Sequence, residues 1–216
     1  MNRTLPVWRA SWHDIPDIVD LVVGPFAAGP VGAWLVPDEH RRRDVLSDVI
    51  EVWTEHALLR GEAYLLHDRS AAAVWLHRYG LVPPPTWYGE KLAVACAEYV
   101  DRFLHLDDVL RRHRPEGPHN HLAFFAVAAA PHRLRRATAL LATSNARMGH
   151  ARLPAYAEAT TIAERDLYAR QGYVLHEPFG LPDGSKAYPM WRSPGRGRLG
   201  RRPISPATCP NWAASA

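Results

Sequence analysis

The chain has 216 residues, 47% hydrophobic and 22% charged, which suits one globular domain with a sizeable core. Its formal net charge of +4 resides in Arg196, Arg198, Arg201 and Arg202; the rest is balanced in acids and bases, so the charge gives no case for nucleic-acid binding. Two cysteines, Cys96 and Cys209, exclude a disulfide framework, and no apolar run reaches the length of a membrane span. A reducing cytoplasm is the expected setting, and the N-terminus shows no signal-peptide pattern.

In chain order, Val7 to Ser11 reads as a first strand. His13-Asp14 precedes a helix carrying Ile15, Ile18, Val19 and Val22, with Pro16 in its first turn and Gly24-Pro25 as its stop. Phe26 to Val36 is expected as a Gly/Pro-broken loop holding Trp34. Asp38 to Arg60 is the longest predicted helix, striped by Leu46, Val49, Ile50, Trp53 and Ala57, with Arg41 to Arg43 on its solvated face and Gly61 at its end. Ala63–Leu66 and Ala71–Leu76 read as paired strands around His67 to Ser70. After Pro83 to Pro85, two helices are expected, near Glu90–Phe103 and Asp107–Arg112, followed by a loop from His113 to Asn120.

The stretch from His121 to Tyr173 organises the rest. His121 to Val127 is an apolar, aromatic-rich strand; Pro131 to Arg136 is a basic turn; Ala137 to Met148 has Leu140, Leu141 and Met148 at helical spacing. A strand over Pro154–Thr160, a short helix around Asp166–Arg170 and a strand opening at Tyr173 complete a βαβ-type order, with Gly172 ending the helix. Ser193 onward is rich in Gly, Pro, Ser and Arg, so residues 194–216 are expected to be a flexible basic tail on a single domain over 1–193.

These residues resemble the GNAT superfamily of N-acyltransferases. The likeness is carried by the strand ending at Val127, the helix opening Ala137-Thr138-Ala139-Leu140-Leu141, the strand Ala155 to Ala159, Leu167-Tyr168 followed by Gly172-Tyr173, and a closing hairpin with Pro182-Asp183-Gly184 and Pro189-Met190-Trp191. It spans Val7 to Trp191. It implies an α/β (α+β) fold: a mixed central sheet flanked by helices, with splayed fourth and fifth strands and a pantetheine arm in the gap. By resemblance, backbone of Phe125, Ala126 and Val127 holds the thioester, and Tyr168 protonates the leaving thiolate, a role a neutral phenol suits; a tyrosine merely packed on the sheet is the alternative. Glu158 and His121 are the candidate bases for an amine, with His119 on the same face. His113, His119 and His121 lack the carboxylate or cysteine that would complete a recognised metal spacing, so no metal is assigned.

One departure matters. The family's glycine turn lets backbone N–H groups approach the coenzyme A pyrophosphate. Here Arg135 holds the fixed glycine position, Arg133 stands at a second, and only Ala137 is an accepted replacement; Glu164 replaces a frequent asparagine. Three readings follow: an acyl-coenzyme A donor with Arg133, Arg135 and Arg136 replacing backbone contacts; an acyl carrier protein, as in secondary metabolism, whose phosphopantetheine needs no diphosphate cradle and whose acidic surface meets the basic turn; or a fold that has lost acyl transfer. The second is preferred. The acceptor is expected to be a small-molecule amine, with neither nucleic acid nor membrane as partner. Trp34, Trp75, Trp87 and Tyr88 are either its aromatic walls or core.

Overall fold

The computed structural model describes residues 5–80, 83–129 and 131–194. Along these the chain forms β1 (Val7–Arg9), α1 (Ile15–Ala28), α2 (Pro30–Leu35), α3 (Glu39–Arg60), β2 (Gly61–Leu66), β3 (Ala71–Arg78), α4 (Tyr88–Cys96) and α5 (Val100–His113). It continues through β4 (His119–Val127), α6 (Arg133–Met148), β5 (Ala155–Ala159), α7 (Ile162–Arg170), β6 (Val174–Leu175), β7 (Phe179–Gly180) and β8 (Lys186–Arg192). The tail expected beyond residue 194 lies outside the described residues.

The strands make one sheet in the order β1-β2-β3-β4-β5-β8-β6, with β7 also on β8. All neighbours are antiparallel except β4 and β5. The mixed α/β architecture expected from the sequence is therefore present. Side chains alternate between the two sheet faces. Ala72, Val74 and Leu76 join α1 and α3 on one face, while Ala71, Ala73 and Trp75 join Leu140 and Leu141 of α6 on the other. Gly61 is needed where α3 hands over to β2: a Cβ there would fall 1.9 Å from the Trp75 carbonyl oxygen.

Several boundaries differ from the sequence expectations. α1 runs through Gly24-Pro25 to Ala28; a proline removes one helical N–H bond, but the extra turn packs Phe26 and Ala27 against the core. Residues 30–35 are helical rather than loop. Arg42 belongs to this junction and not to a free solvated face: its guanidinium donates to the carbonyls of Val36 (2.7 Å), Pro37 (3.1 Å) and Ala27 (3.4 Å). These carbonyls cluster where α1 and α2 end, which no periodicity rule detects. The break between α4 and α5 falls at 97–99, not after Phe103. Finally, Arg133 to Arg136 form the first turn of α6, leaving Pro131-His132 as the turn. Arg and Leu are good helix formers, and the glycines that would hold a longer loop open are absent.

Candidate active site

β4 and β5 stay together for only three residue pairs, Asn120↔Ala155, His121↔Tyr156 and Leu122↔Ala157. The Asn120 N–H donates to Pro154 O at 2.8 Å and holds the seam closed there. Beyond Leu122 the strands part, although β4 remains paired with β3 as far as Val127. A β-bulge marks the divergence. The β3 register shifts between Val74 and Trp75, so Ala123 is an extra residue; Ala123 and Phe124 both face the α1 side, whereas Leu122, Phe125 and Val127 face α6. Ala128 N–H donates to Ser70 O (2.8 Å) on the β3 side. By alternation Ala126 also addresses β3, which leaves the backbone N–H and C=O of Phe125 and Val127 facing the gap.

At the closed end of the gap, on the face away from α6, lies a buried polar group. His121 Nε2 meets Glu158 Oε2 at 2.7 Å, and Arg78 Nε donates to His121 Nδ1 at 3.2 Å. A guanidinium can only donate, so Nδ1 accepts, and Nε2 carries the proton given to Glu158. Burial pushes His121 below the ordinary histidine range, against the opposing pull of Glu158. Burial acts on Glu158 in the opposite sense and is outweighed by His121 and Arg114, so the carboxylate stays ionised. His119 Nδ1 donates to Gly117 O at 2.7 Å; burial lowers its pKa to about 4. His119 Nε2, Tyr156 Oη, Glu158 Oε1 and Arg114 Nε are all buried with no partner at full hydrogen-bond distance, although the Tyr156 hydroxyl is directed at the Glu158 carboxylate and helps to keep it ionised. Rings of Tyr156, Trp191 and His119 lie 5.7–6.4 Å apart around them.

Tyr168 occupies the other face. Its ring sits edge-on to Phe125 at 6.1 Å and beside Tyr173 at 5.7 Å. It is almost fully buried, and burial, then the charge of Glu164, raises its pKa well above the ordinary phenol value, so it holds its proton. α7, which carries it, starts with a capping box: Thr161 Oγ1 accepts from Glu164 N (3.2 Å), while the Glu164 carboxylate accepts from the amides of Thr160 (2.9 Å) and Thr161 (3.2 Å). Glu164 is thus a helix cap.

The first turn of α6 follows the open end of β4. His132 takes a left-handed conformation (φ 64°) just before it, so the amides of Arg133 and Leu134 head the helix. Arg133 and Arg135 have exposed side chains. Arg136 is turned aside: Nε and Nη2 both donate to Asp68 Oδ2 at 3.2 Å, and Nη1 bonds the Pro131 carbonyl. Ala137 is buried under the helix.

The structure therefore brings together His121, Glu158 and His119 on one side of the seam, and Phe125, Val127 and Tyr168 on the other. Ala126 faces β3 instead, and Arg136 is committed to Asp68. Trp75 is core, fully buried beneath α6; Trp34 packs on Arg102 and His105 of α5; Trp87 is exposed; the Tyr88 hydroxyl is bound to Asp107 (2.6 Å). The aromatic walls beside the polar group are Tyr156 and Trp191, which the sequence reading left out along with Arg78 and Arg114. Strand alternation could have found Tyr156, two residues from Glu158. Arg78 and Arg114 come from β3 and the end of α5, and only tertiary structure joins them. Among the described residues no group of three or more His, Cys, Asp or Glu is placed to hold a metal ion, and no helix is long and apolar enough to cross a membrane.

A fourth strand whose parallel neighbour diverges from it, with a helix springing from the open end, gives this chain the GNAT fold that the sequence resemblance implied. Solved structures agree. A Corynebacterium glutamicum protein described as "histone acetyltransferase HPA2 and related acetyltransferase" superposes with a TM-score of 0.68 at 24% identity, over 91% of this chain and 100% of that one. Arylalkylamine N-acetyltransferase 2 from Aedes aegypti gives 0.63 at 10% identity, over 89% and 100%. The C-terminal condensation domain of Ebony, solved with β-alanyl-dopamine, gives 0.57 at 14% identity, over 88% and 98%. No family model matches the sequence.

Proposed function

We propose that the protein is an N-acyltransferase that moves an acyl group from a pantetheine thioester to an amine. The observation that carries this reading is the opened β4–β5 seam, with an unpaired carboxylate oxygen on one face and a protonated tyrosine on the other. A pantetheine arm in the gap pairs with the backbone of Phe125 and Val127, which aligns the thioester carbonyl with an N–H donor. The amine enters from the Tyr156 and Trp191 side and gives an N–H to Glu158 Oε1. As its nitrogen bonds to the carbonyl carbon its proton becomes acidic and passes to Glu158; the C–S bond breaks and Tyr168 protonates the departing sulfur. His121, with both ring nitrogens engaged, holds Glu158 in place and is a positioning residue.

The donor we favour is an acyl carrier protein. Side chains stand where a diphosphate cradle would need bare backbone: Arg135 is on the first turn of α6, and Arg136 is tied to Asp68. A phosphopantetheine arm needs the slot but not the cradle, and the exposed basic turn complements an acidic carrier. Acyl-coenzyme A is the second reading, supported by the helix start that the amides of Arg133 and Leu134 head. Ebony's condensation domain, a fold neighbour solved with β-alanyl-dopamine, lends support to acylation of an amine. The test is turnover of an amine panel with acyl-carrier protein, acyl-coenzyme A and acyl-N-acetylcysteamine. Carrier-dependent amide formation together with weak coenzyme A binding by calorimetry is the expected result. Efficient acetyl-coenzyme A turnover returns the donor to coenzyme A, and no amide from any thioester overturns acyl transfer.

A further inference from the structure

From the orphaned polar atoms on the acceptor face we infer that the amine taken by this site also carries a carboxylate, as an amino acid does. The inference rests on the acyl-transfer reading above and adds the class of acceptor. Its basis is an imbalance of charge and of hydrogen bonding. Arg78 and Arg114 stand close enough for the charge of Arg114 to depress Arg78, which burial first brings down to about 10. Neither forms an ion pair with any acid among the described residues. Glu158, the carboxylate that feels Arg114 and whose charge acts on Arg78, is already committed to His121 through one oxygen. Asp107 on α5 feels Arg114 but accepts from the Tyr88 hydroxyl, and burial raises its pKa.

Two guanidinium groups sharing one half-occupied carboxylate make a poor site for a simple cationic amine, which like charges repel. They make a good one for a zwitterion. Glu158 Oε1 accepts an N–H of the amino group, which releases its first proton to solvent before its nitrogen attacks; the unpaired Arg114 N–H donates to the carboxylate, and Arg78, whose Nε is on His121, reinforces it through its remaining donors. The His121 ring separates Glu158 from Arg78, so the two ligand charges are spaced by a few bonds and not by a long chain. Buried donors and acceptors left without partners are costly, and a site built to bind a group rejects the analogue lacking it.

The experiment compares matched acceptors that differ only in the carboxylate: phenylalanine with phenethylamine, tyrosine with tyramine, alanine with ethylamine. Each is supplied with acyl-N-acetylcysteamine so that donor identity does not enter. The expected result is a kcat/KM at least about tenfold higher for the carboxylate-bearing member, the size of a charge-assisted hydrogen bond. In Arg114→Met that ratio falls by about tenfold through KM, and Arg114→Lys restores part of it; circular dichroism establishes that the variants fold. Equal or better use of the decarboxylated amines by the wild-type enzyme overturns the inference and leaves acyl transfer standing. An unchanged ratio in a folded Arg114→Met variant also overturns it. No amide from either member of any pair removes the acyl-transfer reading itself, and this inference with it.

Discussion

Residues on β4 and β5 that differ by one position in sequence lie in opposite worlds. On the α6 side, Leu122, Ala155, Ala157 and Ala159 meet Leu140, Leu141 and Leu167 in a seam built of apolar groups. On the other side, His119, His121, Tyr156 and Glu158 are buried almost as deeply, yet four polar atoms there or on Arg114 lack partners. The same two strands thus carry a face closed by apolar packing and a face that leaves buried polar atoms unpaired, separated only by the pleat. Unsatisfied groups on one face are tolerable because the other is completed by packing.

The sharpest break in this comparison is Glu158→Gln. The amide keeps shape and burial but cannot take the amine's proton, so kcat/KM is expected to fall by about 10²–10⁴, the usual reach of a general base. The midpoint of thermal unfolding also drops, because the lost charge balances the buried Arg78, but the variant stays folded at the assay temperature. Steady-state kinetics beside a melt checks both, and retained activity removes Glu158 from the mechanism. Leu141→Ala is the mirror image: it costs about 2–5 kcal/mol of stability by opening a cavity under the sheet. Urea titration reads that loss, and turnover per folded molecule stays close to the parent's.

pH separates the faces next. His119 has a folded pKa of about 4 against an ordinary 6.5. The unfolded chain therefore binds more protons between these values, and the stability that His119 lends is complete above pH 6.5 and lost as pH falls towards 4. The loss is on the order of 3 kcal/mol. Urea midpoints from pH 7 to pH 4 should fall steeply in the parent and less so in His119→Gln. Equal slopes would mean that this ring titrates as it does in water. A smaller effect is expected from Tyr168→Phe: a decline in kcat of about tenfold to a hundredfold with KM held, since only protonation of the leaving thiolate is lost. A pre-steady-state comparison of donors with good and poor thiol leaving groups should show the poor one suffering more.

How much of this was legible in the sequence follows from the same contrast. The apolar face announces itself through period: Leu140, Leu141, Ala155 and Ala157 fall where helix and strand spacing require, and the order of elements could be read from it; the parting of β4 from β5 is expected only from the family resemblance. Glu158 and His121 were legible as candidates because one lies on the fifth strand near the expected splay and the other opens the fourth strand with a side chain suited to proton transfer. Their ordering was not. That Nδ1 of His121 is taken by Arg78, which makes it a support and Glu158 the open acceptor, depends on a contact over 43 positions. Arg114 at the end of α5 is equally remote. Arg42 misled for a similar reason: a charge run reads as a solvated face until the carbonyls of two helix ends are brought to it.

Glu164 gives the finest test. Taken as the counterpart of a phosphate-facing asparagine, it would repel coenzyme A. In the structure its carboxylate is turned back onto the amides of Thr160 and Thr161, closing the box that starts the helix bearing Tyr168. Glu164→Asn shortens that reach and loses the reciprocal bond, which is worth about 1 kcal/mol at most. The expected outcome is a small drop in the unfolding midpoint and an unaltered, weak calorimetric signal with coenzyme A. A tenfold gain in coenzyme A affinity would place the side chain on the phosphate path after all, and would reopen the case for a nucleotide-bearing donor on the open side of the seam.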